Sequence, residues 1–205
     1  DIHNVTKDRF SKTLGASADS TGTYMDYIHS MIEHTIDKRL ARINSMVHQN
    51  DIEVLRHARE ILQTLITTHS NAFDGTIFSL SHTDINPLNV IWRGNEIIFI
   101  DWEDLSYGDR ADEISYIFAI NNLDKKFQDS FLEEYQKLIS DPTLLERIPI
   151  YTLKNRLFDL AWAIGKLDEE ARGVTGLMKQ ADGLYQNFYN ARLEALKKHL
   201  DAHIQ

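Results

Sequence analysis

Two short apolar runs, Asn89-Val-Ile-Trp92 and Glu96-Ile-Ile-Phe-Ile100, stand on either side of Arg93-Gly-Asn95 in a chain otherwise patterned for helix. β-Branched and aromatic residues around a Gly-Asn turn predict a β-hairpin. The flanking sequence repeats its apolar residues every three to four positions, so the hairpin has to pack among amphipathic helices. On the N-terminal side, Ile28, Ile32, Ile36, Leu40, Ile43 and Val47 define one helical face. Asn50-Asp51 interrupts that pattern and is read as the cap of a second helix, which carries Ile52, Leu55, Ile61, Leu62 and Leu65 to about His69. The short turn between them predicts an antiparallel helical pair. Thr76-Ile-Phe-Ser-Leu80 reads as a strand, and the chain after Asp101 reads as a loop through Gly108. Three helices follow: one on Phe127, Phe131, Tyr135 and Leu138; one on Leu153, Leu157, Ala161, Ile164 and Leu167; and one on Leu177, Ala181, Leu184, Phe188, Leu196 and Leu200. Residues 1–23 read as a lead-in segment and residues 24–205 as the folded domain. The fold class is therefore α+β, mostly helical, with a small hairpin near the middle.

At 205 residues the chain can bury one sizeable core. Its 31 Asp and Glu outnumber its 22 Lys and Arg, a net charge of −9, which repels phosphate backbones and argues against a nucleic-acid partner. The same charge draws cations, whether metal ions or amine-bearing substrates. The absence of cysteine excludes disulfides, thiolate zinc sites and cysteine nucleophiles, and with the acidic surface it fits a cytoplasmic protein. Histidines such as His29, His34, His57 and His69 are scattered and make no H-E-x-x-H pair, so zinc is not expected. No apolar run approaches the roughly 18–20 residues of a membrane span. The first residues carry no secretory pattern, and no membrane partner is expected.

The chemistry lies in Ser81-His-Thr-Asp-Ile-Asn-Pro-Leu-Asn89 and Phe99-Ile-Asp-Trp-Glu103. His82, Asp84 and Asn89 have the H-x-D-x-x-x-x-N spacing of a kinase catalytic loop, and Asp101 closes the hairpin's second strand. A nucleoside triphosphate brings several negative charges, which Mg²⁺ offsets through hard oxygen ligands. Asn89 and Asp101 offer an amide oxygen and a carboxylate for that ion. Asp84 is the separate carboxylate that can orient an acceptor hydroxyl and take its proton. Glu103 is a candidate for tuning the metal site or a plain exposed acid. Asp109, a candidate secondary-site residue, reads with Glu113 as cap and anchor of the following helix. Asp168-Glu169-Glu170 could dock a polycationic acceptor or form a solvated helix end. Trp162, with Phe158, could wall a pocket or pack in the core.

The segment resembles the aminoglycoside phosphotransferase and choline kinase superfamily of small-molecule kinases. That superfamily's loop, similar to H-G-D-x-x-P-x-N, stands here as His82-Thr-Asp-Ile-Asn-Pro-Leu-Asn89, and its I-D-W-E as Ile100-Asp-Trp-Glu103. Tyr107-Gly-Asp-Arg-Ala-Asp-Glu-Ile-Ser115 looks like its G-D-P-x-x-D-L-A, with Glu113 where Asp is usual. Thr83 and Leu88 replace frequent glycines, and Arg110 replaces a proline. The resemblance spans roughly residues 20–200, and its specific motifs lie within 81–115. It implies a protein-kinase-like C-terminal lobe with Asp84 catalytic, Asn89 and Asp101 on Mg²⁺, ATP as co-substrate, and His82 bracing the loop. Such kinases also need an N-terminal β-rich lobe with a Gly-rich loop and a strand lysine. Before His82 the glycines are Gly15, Gly22 and Gly75, and no lysine lies in a β-branched run. The expectation is a C-terminal lobe alone, inactive and weak for ATP by itself, with an uncovered surface free to self-associate. Pro87, I-D-W-E and the acidic charge put an aminoglycoside-type acceptor first. A choline, sugar or amino-alcohol kinase is the alternative, and a non-catalytic kinase-like binding module is a second one.

Overall fold

A computed structural model describes residues 2–7, 10–11, 23–38, 47–173 and 184–203. In chain order these hold a 3-10 turn at Ile2–Asn4, strand β1 (Thr6–Lys7), helix α1 (Tyr24–Met31) continuing as a π-helix over Ile32–Asp37, and α2 (Gln49–Thr68). A 3-10 turn at Ser70–Phe73, β2 (Phe78–Ser81) and a second 3-10 turn at Pro87–Asn89 come next. The remaining elements are β3 (Val90–Arg93), β4 (Glu96–Phe99), β5 (Ser106–Asp109), α3 (Arg110–Ile120), α4 (Lys125–Leu138), α5 (Leu144–Ala171) and α6 (Leu184–His203). The protein is mostly helical with two small sheets. No described helix is long and apolar enough to cross a membrane.

The predicted hairpin is β3–β4, with Val90 opposite Phe99 and Arg93 opposite Glu96. That register leaves Gly94-Asn95 as a two-residue loop. Gly94 has φ +61, the left-handed first position of a type II′ turn, which glycine enters without steric cost. The second sheet has the order β1-β2-β5, all antiparallel. Here the structure departs from the sequence reading. Ser106–Asp109 is a strand rather than a loop because β2 pairs with it from Phe78↔Asp109 to Ser81↔Ser106. Within the lead-in segment, Thr6 and Lys7 pair with Ser79 and Phe78.

Most helices follow their apolar periods, with shifted ends, but α4 does not bury its expected face: Phe127 is 51% and Leu138 72% exposed, and Phe131 and Tyr135 are half-buried. Ile28, Ile32, Ile36 and Val47 are buried as their spacing requires, whereas Leu40 and Ile43 lie outside the described residues. α2 starts at Gln49, so Asn50-Asp51 sits inside its first turn instead of capping it. The His48 carbonyl takes the Asp51 and Ile52 N–H groups at 3.0 and 3.2 Å. The Asp51 carboxylate is used elsewhere, accepting from Tyr189 Oη at 3.1 Å. Leu153, Leu157, Ala161, Ile164 and Leu167 are all buried on α5. On α6 the buried face is Tyr185, Tyr189, Leu193, Leu196 and Leu200, while Leu177 and Ala181 lie outside the described residues.

The chain divides into two compact units. One comprises Asp1–Tyr24 and Ile66–Asn155, the other Met25–Leu65 and Arg156–Gln205. In the first, Phe10, Ala111, Ile114, Phe118, Leu144 and Tyr151 are buried around the sheet β1-β2-β5 and helix α3. In the second, the core includes Ile28, Leu55, Leu62, Leu160 and Leu196. Both sheets and all of residues 81–115 belong to the first unit.

Candidate active site

The site begins where β2 ends. His82 is fully buried, and its Nε2 lies 2.8 Å from the Ile100 carbonyl. A carbonyl only accepts, so Nε2 carries the proton, and the Nδ1 left bare faces the Asp84 N–H at 3.4 Å. The imidazole also lies against Trp102, with ring centroids 4.5 Å apart. His82 thus ties the start of the loop to the end of the hairpin. Asn86 ends the loop as the cap of the Pro87–Asn89 turn, its side-chain oxygen accepting Leu88 N–H at 2.9 Å.

Asp84 and Asn89 are in direct contact. Asn89 Nδ2 donates to the Asp84 backbone oxygen at 3.0 Å and to Oδ2 at 2.8 Å. Asp84 Oδ1 accepts from Asn86 Nδ2 at 3.0 Å and from the Tyr116 hydroxyl at 2.7 Å. The Asn89 side chain is buried with its amide nitrogen committed to Asp84, so its oxygen is the end presented to any further partner. Across the hairpin base, Ile100 N–H donates to the Asn89 carbonyl at 3.0 Å, which brings the residue before Asp101 against Asn89. Asp101 is exposed, and its φ of +63 is left-handed for a residue with a Cβ. Such strain persists only where the surroundings enforce it and clusters at functional sites.

This donor set suits a hard divalent cation. One neutral amide oxygen and one carboxylate are the few protein ligands Mg²⁺ takes while keeping waters and phosphate oxygens for its other positions. Among the described residues, no group of three or more His, Asp or Glu converges as a metal centre of another kind. Glu103 is exposed beyond the hairpin.

Thr83 stands between His82 and Asp84 with φ +68, a strained value for a β-branched residue. This explains why glycine is frequent at the matching position of the resembling kinases. Two bonds hold the conformation: Thr83 N–H to Glu113 Oε1 and Thr83 Oγ1 to the Asp104 carbonyl, both 2.9 Å. Glu113 is thereby an anchor of the loop, a role its place at a helix start does not reveal. Of the two readings of Asp109, helix cap and secondary-site residue, the structure shows the cap. Asp109 is 1% exposed, caps α3 by accepting Ala111 N–H at 2.9 Å, and pairs with Arg147 at 2.7 Å. Burial pushes its carboxyl up from the ordinary value, and the opposing Arg147 guanidinium, with its own pKa raised by Asp109 and Asp141, keeps the two as an ion pair. A carboxylate so enclosed is a structural anchor for β5, α3 and α5.

The candidate substrate residues fall in the second unit. Trp162, Asp168 and Glu169 line a cavity of about 180 Å³ with Lys166 and Arg172, while Glu170 is exposed outside that lining. The acids there are already neutralised: Lys166 meets Glu169 at 2.8 Å and Arg172 meets Asp168 at 2.7 Å. Trp162 packs edge-on to Tyr185, and the Arg192 guanidinium lies 5.5 Å from its ring centroid. The charge on this helix end therefore faces its own cations rather than a free polycation pocket.

A sheet carrying a catalytic-type loop, followed by a hairpin and helices, defines a kinase-like fold. The chain belongs to the phosphotransferase enzyme family, APH, with residues 38–148 matching that family. A LicA homolog of Mycoplasma capricolum subsp. capricolum is 29% identical over 89 residues, 41% of this chain and 37% of that protein. Among solved structures, a thermostable mutant of aminoglycoside phosphotransferase APH(4)-Ia has a TM-score of 0.62 at 14% identity, covering 98% of this chain and 59% of that one. That enzyme is also similar in its ternary complex with ADP and hygromycin B, at a TM-score of 0.55. The choline kinase LicA from Streptococcus pneumoniae has a TM-score of 0.54 at 23% identity, covering 80% of this chain and 54% of that one. The chain thus spans less than two thirds of each of these relatives.

Proposed function

We propose that this chain carries the catalytic centre of a kinase that moves the γ-phosphoryl group of ATP to a hydroxyl of a small cationic alcohol. The observation that carries this reading is the Asp84–Asn89 contact, joined through Ile100 to the strand end that bears Asp101. Asp84 orients the acceptor hydroxyl and receives its proton as the oxygen–phosphorus bond forms and the bond to the leaving ADP oxygen breaks. Asn89 and Asp101 would hold Mg²⁺, which supplies charge neutralisation on the phosphate oxygens. His82, Glu113 and Tyr116 keep the loop and its carboxylate in place. The loose transition state asks mainly for such positioning.

For the acceptor, we place choline-type amino alcohols first and aminoglycosides second. The LicA homolog and the choline kinase LicA favour the first. The internal pairing of Asp168 and Glu169 removes one argument for a polycation. Pro87 and the likeness to APH(4)-Ia favour the second. The relatives are longer than this chain, and we infer that the whole protein carries the N-terminal β-rich lobe implied by the resemblance, seated over the hairpin. There Leu88 is 86%, Trp92 71% and Ile97 52% exposed, an apolar group that a partner surface would cover.

The test is a ³¹P NMR assay of the full-length protein with MgATP and, in turn, choline, ethanolamine, simple sugars and hygromycin B. A phosphomonoester with stoichiometric ADP is expected from choline or ethanolamine. ATP binding without any product would favour the non-catalytic binding module instead.

A further inference from the structure

The first described residues reach the catalytic loop from another part of the chain. His3 lies in the turn Ile2–Asn4, is 8% exposed, and meets Glu113 Oε2 through Nε2 at 2.5 Å. The other oxygen of the same carboxylate, Oε1, is the one that accepts Thr83 N–H. On its far side, His3 Nδ1 meets the Tyr135 hydroxyl at 2.6 Å. A carboxylate only accepts, so Nε2 carries a proton and donates to Glu113, while Nδ1 pairs with the Tyr135 hydroxyl. Burial pushes the Tyr135 phenol above its ordinary value, which keeps that hydroxyl protonated. Every link from Tyr135 through His3 and Glu113 to Thr83 has one donor and one acceptor. The turn itself is held in register, because β1 pairs with β2 and Leu80 N–H donates to the Val5 carbonyl at 2.8 Å.

A glutamate on one hydrogen bond keeps rotamer freedom that weakens its hold on a strained backbone. Engaging both oxygens removes that freedom. Glu113 is buried, so losing the His3 bond would leave one oxygen without its partner in a place water does not readily reach. The Thr83 amide would then be held by a carboxylate free to turn, and Thr83 could relax from φ +68 and carry Asp84 with it.

We propose that His3 is a positioning residue for phosphoryl transfer: through Glu113 it locks the Thr83 backbone in the conformation that presents Asp84. This rests on the phosphotransferase reading above. It also makes the pairing of residues 2–7 with β2 and the geometry of the catalytic loop a single mechanical unit.

The test compares His3→Gln and His3→Leu in the full-length protein. Glutamine places a donating Nε2 where the imidazole has one, and leucine fills the space without a donor. His3→Leu is expected to lower kcat roughly tenfold or more with little change in KM for MgATP, while His3→Gln stays within about threefold of wild type. Hydrogen exchange at the Thr83 amide should accelerate in His3→Leu and not in His3→Gln. A wild-type kcat in His3→Leu, or an equal fall in both variants, would overturn the proposal. If His3→Leu does not fold, His3→Asn, whose shorter amide falls short of Glu113, replaces it with the same expectation. Should the wild-type protein transfer no phosphate to any acceptor, the functional reading fails. Thr83 exchange then still decides the clamp: unchanged exchange in His3→Leu refutes it, and faster exchange upholds it.

Discussion

The Tyr116 hydroxyl donates to Asp84 Oδ1 at 2.7 Å, from one turn beyond the helix position that bears Glu113. Asn86 donates to that same oxygen, whereas among the described residues Oδ2 takes Asn89 alone. In the proposed mechanism Oδ2 is therefore the oxygen that would meet an acceptor hydroxyl, and Tyr116 would fix the rotation that aims it. Tyr116→Phe removes one donor and keeps the ring. It is expected to lower kcat roughly tenfold with KM for MgATP nearly constant, measured by steady-state kinetics of the full-length protein.

Thr83 gives a stability prediction that orders two variants. Its left-handed φ costs a β-branched residue about 1–2 kcal/mol, and its hydroxyl bond to the Asp104 carbonyl returns about 1 kcal/mol. Thr83→Gly removes both, so its unfolding free energy should lie within about 1 kcal/mol of wild type. Thr83→Val keeps the strain and loses the bond, and should be less stable than Thr83→Gly by about 1 kcal/mol or more. Chemical denaturation of the three proteins side by side checks the order.

In the second unit, burial raises the Asp159 carboxyl above its ordinary value despite the Arg192 guanidinium 2.7 Å away. A raised folded-state pKa means that the native state binds the extra proton between the unfolded and folded values. Stability therefore falls as pH rises through that interval and levels off above it. Asp159→Asn, which cannot titrate, should show a flatter pH dependence of thermal midpoint across the range just above the normal carboxylate pKa. An unchanged slope would contradict the assignment.

The hairpin predicts how the 205-residue chain behaves by itself. Trp92 and Ile97 are exposed side by side as a cross-strand pair. On the proposal that a second lobe covers this face in the whole protein, the 205-residue chain by itself is expected to bring two copies together through it at high concentration. Trp92→Ser with Ile97→Ser should lower the association constant at least severalfold in sedimentation equilibrium.

What the sequence made legible is local. Residues 90–99 form the predicted hairpin because its turn chemistry and β-branched runs act over a dozen positions. The helical periods located the buried face of α5 for the same reason, and on α2 and α6 they located Leu55, Leu62, Leu196 and Leu200. β5 was illegible because Ser106, Gly108 and Asp109 are poor strand formers, and only pairing with β2 makes them one. The contacts that shape the loop are long-range. His3 lies 110 positions from Glu113, and Thr83 lies 30 positions from it. Tyr116 lies just past the last motif residue, Ser115, and only its bond to Asp84 marks it. Asp109 and Glu113 were both read as helix anchors, and only their partners separate them: Arg147 encloses one, while the catalytic loop holds the other.

The most direct test is phosphoryl transfer by Asp84→Asn in the full-length protein, in a single-turnover experiment with bound MgATP and the acceptor the wild type accepts. Asparagine keeps the size of the side chain and a partner for Tyr116 and Asn89 but cannot take the hydroxyl proton. The transfer rate should fall by about 10²- to 10⁴-fold, with MgATP affinity and thermal midpoint close to wild type. Transfer within about threefold of the wild-type rate would contradict the assignment of Asp84 as the base on which the account is built.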